Sequence, residues 1–449
     1  MQIDTSIFKA YDIRGTYPSQ LNEETIYKIG RAFVEFLKVK EVALGYDMRL
    51  STPSLKPHLI AGINDAGAKV IDLGMIGTEV MYFVVGKMGF ESGIMLTASH
   101  NPPQYNGMKF VSKGSAPISG ETGIYEIRDM VVNNTYERKN VPTVIEEFDP
   151  FPEYVSAINK LVDISKLKAK KIVVDAGNGI GGLLVQKVFA NSKLEIIPMY
   201  FDLDGSFPNH QADPIKEENT ADLRKRVIEE KADLGIALDG DGDRCFFIDE
   251  NGKYSLGYFV TAILAKKMLE KYPNAKIVHE TRLLWALEDE IKKAGGTPVS
   301  SKAGHSYLKA KMREVDAVFS GEVSSHFFYK DMYFADSSML TIALILELLT
   351  KKNASLSELF APFRSKYFIS GEINFEVENA DEALAKVKKY FEDLGFVADE
   401  LDGVSFADDR NWRVNLRKSN TEPLVRLNIE ANSQNLVDEK VKELTTLIL

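Results

Sequence analysis

The chain has 449 residues, enough for roughly three domains at about 150 residues each and for several cores without disulfides or structural metals. Apolar residues at 45% and charged residues at 27% exclude a disordered chain. Asp plus Glu (65) outnumber Lys plus Arg (55), and the formal net charge of −10 argues against nucleic acid as a partner while leaving room for a local basic pocket. The lone Cys245 forbids an intrachain disulfide and any Cys-based zinc site.

The opening MQIDTSIFKAYDIRG has neither a basic nor an apolar leader region, so no signal peptide is expected. Ile26, Ile29, Phe33, Phe36 and Leu37 share one helical face. EVALGYD reads as a strand, an amphipathic helix follows Pro53–Ser54, and AKVIDLG and SGIMLTAS are further strands. This rhythm predicts a mostly parallel sheet covered by helices. The polar NTYERKNVPTVIEEFDPFPEY marks a boundary near residue 150. KKIVVDAGNGIGGLLVQKVF restarts the rhythm, LEIIPMY and ADLGIALD are strands, and Asn251–Gly252 after CFFID signals a hairpin and a second boundary. AKIVHE, GTPVSS and AVFSGE supply strands to a third unit that closes with a helix near Asp336. Its most apolar run, Met339 to Leu349, is too short for a bilayer and contains Glu347, so a cytoplasmic protein with no membrane partner is expected. Beyond Pro362–Phe363 the strand SGEINFEV, the helix DEALAKVKKYFEDLG and strands in FADDRNWRVNLRKSN and PLVRLNIEA form an α+β unit.

Four constellations could carry chemistry. Asp239, Asp241 and Asp243 alternate along DGDGDR, and carboxylates at alternate positions of an extended segment project together. Three such groups repel one another unless a cation neutralises them, and hard oxygen ligands favour Mg²⁺ or Ca²⁺. Arg244 stands where an EF-hand loop needs glycine, which excludes that motif, and it suggests an anionic ligand nearby. Ser99 ends a strand just before Pro102–Pro103, at the sheet edge where ligands bind, and could be a nucleophile or a phosphoryl carrier; a simple polar turn is the plain alternative. His100, adjacent to it, is poorly placed for an in-line base, and Lys109 either brings charge toward Ser99 or is a solvated strand residue. Arg417, Lys418, Ser419, Asn420 and Thr421 crowd donors suited to a phosphate into one interstrand loop. Glu322 and Ser324 in GEVSSH, with His305 upstream, alternate acceptors and donors as a polyol would require. A fifth pattern, Gly177-x-Gly179-x-x-Gly182 with Asp202 further on, matches the dinucleotide fingerprint formally, but nothing else prepares hydride chemistry.

Taken in order, FKAYDIRG, TASHNPPQYNGMKF, DGDGDR, GEVSSH and RKSNTEP resemble the α-D-phosphohexomutase family over essentially the whole chain. KAYDIRG resembles its phosphomannomutase/phosphoglucomutase branch; phosphoglucosamine mutases more usually begin with Gly-Thr-Asp-Gly and carry Gln at the place of Val323. The resemblance implies an α/β fold of three similar αβα domains with mixed or parallel sheets (1–149, 150–252, 253–364) and a C-terminal α+β domain (365–449) around a central cleft. It implies hexose phosphates as substrates, one Mg²⁺ per active site, hexose 1,6-bisphosphate as activator, and a monomer or homodimer. Ser99 would be the phosphoserine and would hold Mg²⁺ together with Asp239, Asp241 and Asp243. Arg14, His100, Lys109 and Arg244 would surround the transferring group, with Lys109 a general base or acid. Glu322 and Ser324 would read sugar hydroxyls, and Arg417, Ser419, Asn420 and Thr421 would grip the distal phosphate. Tyr11, Lys302 and His305 would line the cleft, with Arg282 and Arg426 as lesser candidates. Val323, Ser325 and Glu79 depart from common family residues, the first two in the sugar loop. An amino-sugar mutase, a silent sugar-phosphate-binding paralogue and a metal-dependent phosphatase are the competing readings.

Overall fold

The computed structural model describes residues 3–139, 141–168, 170–418 and 424–449. The chain forms two compact units, Met1–Ser255 with His326–Leu356, and Leu256–Ser325 with Ser357–Leu449.

In the first unit, helix Glu23–Leu37 buries Ile26, Ile29 and Phe33. The Asn22 side chain caps it by accepting from the Thr25 amide, and Glu23 and Glu24 face the positive end of its dipole. Helix Thr52–Asp65 packs so closely on it that a Cβ at Gly62 would lie 2.2 Å from the Tyr27 carbonyl oxygen. The first sheet contains β1 (Ile13–Thr16), β2 (Glu41–Tyr46), β3 (Lys69–Met75), β4 (Ser92–Leu96), β5 (Tyr105–Ser112), β6 (Ala116–Ile118) and β7 (Ile145–Glu147). Its order is β1-β5-β4-β2-β3-β7, with β6 beside β5. β1, β2, β3, β4, β6 and β7 run in one direction and only β5 is reversed, antiparallel to its neighbours β1, β4 and β6, so the sheet is mostly parallel, as expected, with a single reversed strand. The connection from β4 to β5 is too short for a crossover and can only return the chain antiparallel. That return sets Lys109 opposite Met95, and β1 sets Arg14 opposite Gly107.

The second sheet, in the order β12-β11-β10-β8-β9, contains β8 (Lys171–Asp175), β9 (Glu195–Met199), β10 (Leu234–Leu238), β11 (Cys245–Asp249) and β12 (Tyr254–Ser255). The Asn251–Gly252 turn closes the β11–β12 hairpin, with Gly252 at φ +72°. The glycine pattern after β8 serves packing: a Cβ on Gly179 would lie 2.7 Å from the Gly240 oxygen, and Ile180 N donates to that oxygen at 3.1 Å. These glycines therefore seat the aspartate loop. A hairpin of Phe327–Tyr329 and Ala335–Asp336 leads into helix Ser338–Lys352, capped by Ser337.

Helix Thr78–Met88 starts at the same loop, and its Glu79 is completely buried. The Ser338 hydroxyl lies 2.7 Å from the Gly242 oxygen and 3.1 Å from Glu79 Oε1. A hydroxyl has one proton, so Glu79 receives only the weaker share of it. Burial pushes Glu79 up to about 8, against opposing hydrogen bonds from Tyr154, Ser337 and Ser338. Between pH 4.5 and 8 the native state thus binds more protons at this position than the unfolded chain, and stability falls as pH rises through that window. Glu79→Gln should flatten this dependence: the melting temperature of the wild type drops more steeply between pH 6 and 8 than that of the variant. Parallel melting curves over that range would show that Glu79 is ionised throughout.

In the second unit, β13 (Lys276–Glu280), β14 (Thr297–Ser301) and β15 (Phe319–Gly321) are parallel in the order β14-β13-β15. Helices Gly257–Lys271, Trp285–Lys293 and His305–Val315 pack against them. The C-terminal part is a four-stranded antiparallel sheet in the order Phe368–Glu376, Leu424–Ala431, Trp412–Lys418, Val404–Asp408. Phe391 of helix Ala380–Asp393 packs on Phe406 and Trp412 in its core. A terminal helix, Gln434–Ile448, joins that core through Val437, Leu444 and Ile448. It goes beyond the strands expected from the sequence.

Candidate active site

In the first unit, the chain leaving β4 turns sharply at Ser99, which is 3% exposed and sits in the left-handed region at φ +50°. Its hydroxyl lies 3.2 Å from Asp239 Oδ2 and 3.2 Å from His100 Nδ1. Arg244 Nη2 also donates to that His100 nitrogen. An imidazole nitrogen has one lone pair; Arg244 takes it, and the Ser99 proton goes to Asp239. Burial, reinforced by the Arg244 charge, holds His100 well below its ordinary range. His100 therefore touches Ser99, closer than adjacency in sequence suggested, yet has no free lone pair with which to deprotonate it.

Asp239, Asp241 and Asp243 are buried and converge, each offering an oxygen within 4.8 Å of the others. The segment is not extended. It is a tight loop in which Gly242, at φ +72°, donates its amide to the Asp239 carbonyl. Thr78 at the start of helix Thr78–Met88 donates its amide to the Asp241 carbonyl and its hydroxyl to Asp241 Oδ2 at 2.5 Å. Lys109 Nζ bridges Asp241 and Asp243 at 2.7 and 2.6 Å. Burial opposes its charge, but the two carboxylates outweigh burial and raise Lys109 well above the usual lysine range. It is a fixed cation here, not a poised base. Arg244 donates its backbone amide and Nε to Asp239 at 3.1 and 2.8 Å. Burial still pushes Asp239 up to about 7. Asp241 Oδ1 and Asp243 Oδ1 are buried with no hydrogen-bond donor. A cluster of hard oxygens, two of them without a donor, fits a divalent cation such as Mg²⁺. Arg14 Nε donates to Asp12 at 2.7 Å, and its Nη1 donates to Asn101 Oδ1 at 2.5 Å, which brings it to the Ser99 loop. Tyr11 is half-buried just before β1.

Two residues here escaped the sequence reading. His326 Nε2 lies 3.5 Å from Asp243 Oδ1; its motif was noted, but its partner is 83 positions away. Arg49 is buried, and its guanidinium donates to the carbonyls of Ser99, Asn101, Pro102 and Tyr105.

The second unit gathers a different set. Glu322 accepts from Gly304 N and from Ser324 Oγ, both at 2.9 Å. Glu280 accepts from Val323 N at 2.7 Å and from Arg282, so the end of β13 anchors the GEVSSH turn. Arg282 is central: it pairs with Glu280 at 2.6 Å and with Glu372 at 2.9 Å. Arg417 and Arg426 sit directly opposite each other on adjacent strands, where like charges repel. Glu372 offsets this, lying 3.8 Å from Arg417 and 3.3 Å from Arg426. Burial and the neighbouring Arg282 charge lower Arg417 from the usual arginine value. A dense, partly uncompensated guanidinium group of this kind suits a phosphate. His305 opens helix His305–Val315, and Lys302 is exposed over the Tyr307 ring. Ser419, Asn420 and Thr421 lie outside the described residues.

Comparison with known proteins gives one consistent family. Models of phosphoglucomutase/phosphomannomutase alpha/beta/alpha domains I, II and III match residues 5–138, 152–252 and 256–367, and the C-terminal domain model matches 372–447. A Vibrio cholerae phosphomannomutase is 42% identical, covering 99% of this chain and 98% of its own. An Escherichia coli phosphomannomutase is 41% identical over 98% of each chain. A crystal structure of a phosphoglucomutase/phosphomannomutase family protein from Burkholderia thailandensis superimposes with a TM-score of 0.89 at 32% identity, covering 100% of this chain and 98% of that one. With its four-domain α/β architecture, the chain belongs to the phosphoglucomutase/phosphomannomutase family of phosphohexomutases.

Proposed function

We propose that the chain is a phosphomannomutase/phosphoglucomutase that interconverts hexose 1-phosphates and 6-phosphates. The observation that carries this reading is the Ser99 hydroxyl, 3.2 Å from Asp239 of an aspartate cluster whose members pair with the buried cations Lys109 and Arg244. Phosphoryl transfer asks for positioning and charge compensation above all. Phosphorylated Ser99 gives its phosphoryl group to the free hydroxyl of the substrate: the Ser99 Oγ–P bond breaks, a sugar O–P bond forms, and the proton lost by the sugar hydroxyl is balanced by the one that the Ser99 oxygen takes up. The resulting 1,6-bisphosphate reorients and returns its other phosphoryl group to Ser99. Asp239, Asp241, Asp243 and an oxygen of phosphorylated Ser99 would hold one Mg²⁺, which supplies charge compensation for the phosphoryl oxygens. Arg14, Lys109 and Arg244 stabilise the same oxygens, and Arg244 keeps His100 neutral and in place. Glu322 and Ser324 read the sugar, with Tyr11, Lys302 and His305 around it. Arg417, with Ser419, Asn420 and Thr421, takes the phosphate that is not reacting, and Arg282 and Arg426 reinforce that charge. Free hexose 1,6-bisphosphate reloads dephosphorylated Ser99 and so acts as activator. Among the described residues no helix is long and apolar enough to cross a membrane; cytoplasmic location, a monomeric or homodimeric state and domain limits of 1–149, 150–252, 253–364 and 365–449 belong to this proposal.

The test is isomerisation of mannose 1-phosphate and glucose 1-phosphate side by side, with Mg²⁺ and a trace of hexose 1,6-bisphosphate. Turnover of both, abolished by chelator, is expected. Activity on glucosamine 1-phosphate alone would move the chain to the amino-sugar mutases, and net release of inorganic phosphate would make it a phosphatase.

A further inference from the structure

We propose that Arg49, neutralised by Asp47, is a positioning residue for phosphoryl transfer at Ser99, and that the pair fixes the direction of the Ser99 hydroxyl by gripping both main-chain groups of that residue. This rests on the phosphomutase reading. Arg49 follows β2 in the sequence Asp47-Met48-Arg49, which reads as an ordinary turn, yet its side chain is 1% exposed. Nη1 donates to the carbonyls of Pro102 and Tyr105 at 2.9 and 2.8 Å, and Nη2 to those of Ser99 and Asn101 at 2.8 and 2.7 Å. One guanidinium thus ties down the whole turn between β4 and β5. Asp47 lies 3.6 Å from Arg49 Nε and balances the buried charge. The Thr97 hydroxyl donates to Asp47 Oδ2 at 2.5 Å and accepts from the Ser99 amide at 2.8 Å. The Ser99 N–H is therefore held through Thr97 and Asp47, and its C=O is held by Arg49. Gly240 closes the third side, since a Cβ there would lie 2.4 Å from the Ser99 oxygen.

The grip answers a need. A non-glycine residue in the left-handed region is disfavoured and persists only where its surroundings impose it. Relaxation of Ser99 to negative φ would swing its hydroxyl away from Asp239. No interaction of Arg49 reaches the Ser99 hydroxyl itself, so its influence is on geometry rather than on the reacting atoms. Lysine cannot replace it, because an ammonium lacks the planar fork that serves four carbonyls at once.

The experiment compares wild type, Arg49→Lys and Thr97→Val, which break the two ends of the grip separately. Three quantities are measured: the rate at which hexose 1,6-bisphosphate phosphorylates Ser99 (by intact mass in single turnover), the kcat and KM for glucose 1-phosphate, and the Kd for glucose 6-phosphate by calorimetry. Thermal melting is followed alongside. Misplacement of a reacting group by about 1 Å costs on the order of 10²-fold in rate. Phosphorylation and kcat should fall by about that factor in both variants, with KM and Kd within about threefold of wild type. Uptake at the wild-type rate in both variants would overturn the proposal, as would rate losses that merely track losses of binding and melting temperature. Wild-type Ser99 that takes up no phosphate would instead sink the mutase reading itself.

Discussion

Ser99→Ala should abolish isomerisation of glucose 1-phosphate and mannose 1-phosphate, a fall of at least about 10³-fold, while leaving the fold intact. The loss is large because the hydroxyl carries the transferred group: without it neither half of the double transfer has an acceptor on the protein, and the remaining cations can only bind ligands. The fold survives because the backbone is held from elsewhere. The Ser99 amide and carbonyl keep their bonds to Thr97 and Arg49, and alanine meets the same left-handed backbone cost that serine already meets. What disappears is a 3.2 Å hydrogen bond to Asp239, worth about 1 kcal/mol in a typical case. Asp239 retains its two bonds from Arg244. Three readouts check this: turnover, mass gain on incubation with hexose 1,6-bisphosphate, and calorimetric binding of glucose 6-phosphate. Turnover and mass gain should vanish and binding should persist. Turnover within tenfold of wild type would rule out a phosphoserine at this position.

What was legible in the sequence was local. The aspartate triplet stood out because three carboxylates in five residues need an explanation, although the reason they converge differs from the one expected. A glycine in the left-handed region folds the segment into a loop, whereas an extended strand would have spread the side chains. Ser99, Arg244, Glu322 and Arg417 were legible for the same reason, as members of dense polar runs beside apolar strands. The residues that hold them were not. Beyond its neighbour Asp47, Arg49 bonds to main-chain carbonyls about fifty positions away, and carbonyls leave no mark in a sequence. Arg282 was legible only as a lesser candidate, because the partner that makes it central, Glu372, lies ninety positions on. His100 reads as poorly placed for an in-line base because it adjoins Ser99 in sequence; the left-handed turn at Ser99 nevertheless brings its ring to the hydroxyl. The parallel core of the first sheet was legible from the rhythm of strands and helices; its one reversed strand, β5, follows from a short connection that the rhythm concealed.

Lys109→Met should destabilise the protein most when divalent cations are absent. Lys109 is the cation shared by Asp241 and Asp243, both fully or nearly fully buried. Removing one partner of a buried ion pair costs about 3–5 kcal/mol, because the remaining charge is left uncompensated. The nearby groups cannot absorb the change easily: Arg244 is committed to Asp239, and the Thr78 hydroxyl already donates to Asp241. Each kcal/mol moves the melting temperature by about 2–4 °C for a domain of 150–250 residues, so a drop on the order of 10 °C is expected in chelator. Methionine keeps the apolar stem in its slot, so the loss reports charge rather than packing. The same triplet explains why the loss should be partly reversible. With the ammonium gone, Mg²⁺ meets three carboxylates of which only Asp239 is paired with a side-chain cation, Arg244, and it should raise the melting temperature of the variant more than that of the wild type. Stability would then recover with Mg²⁺ while turnover stays at least about 10²-fold down, because the transferring phosphoryl group has lost a fixed positive neighbour. A variant that melts with the wild type in chelator would mean that the triplet sheds its charge by taking up protons, and that Lys109 is not what holds these carboxylates ionised.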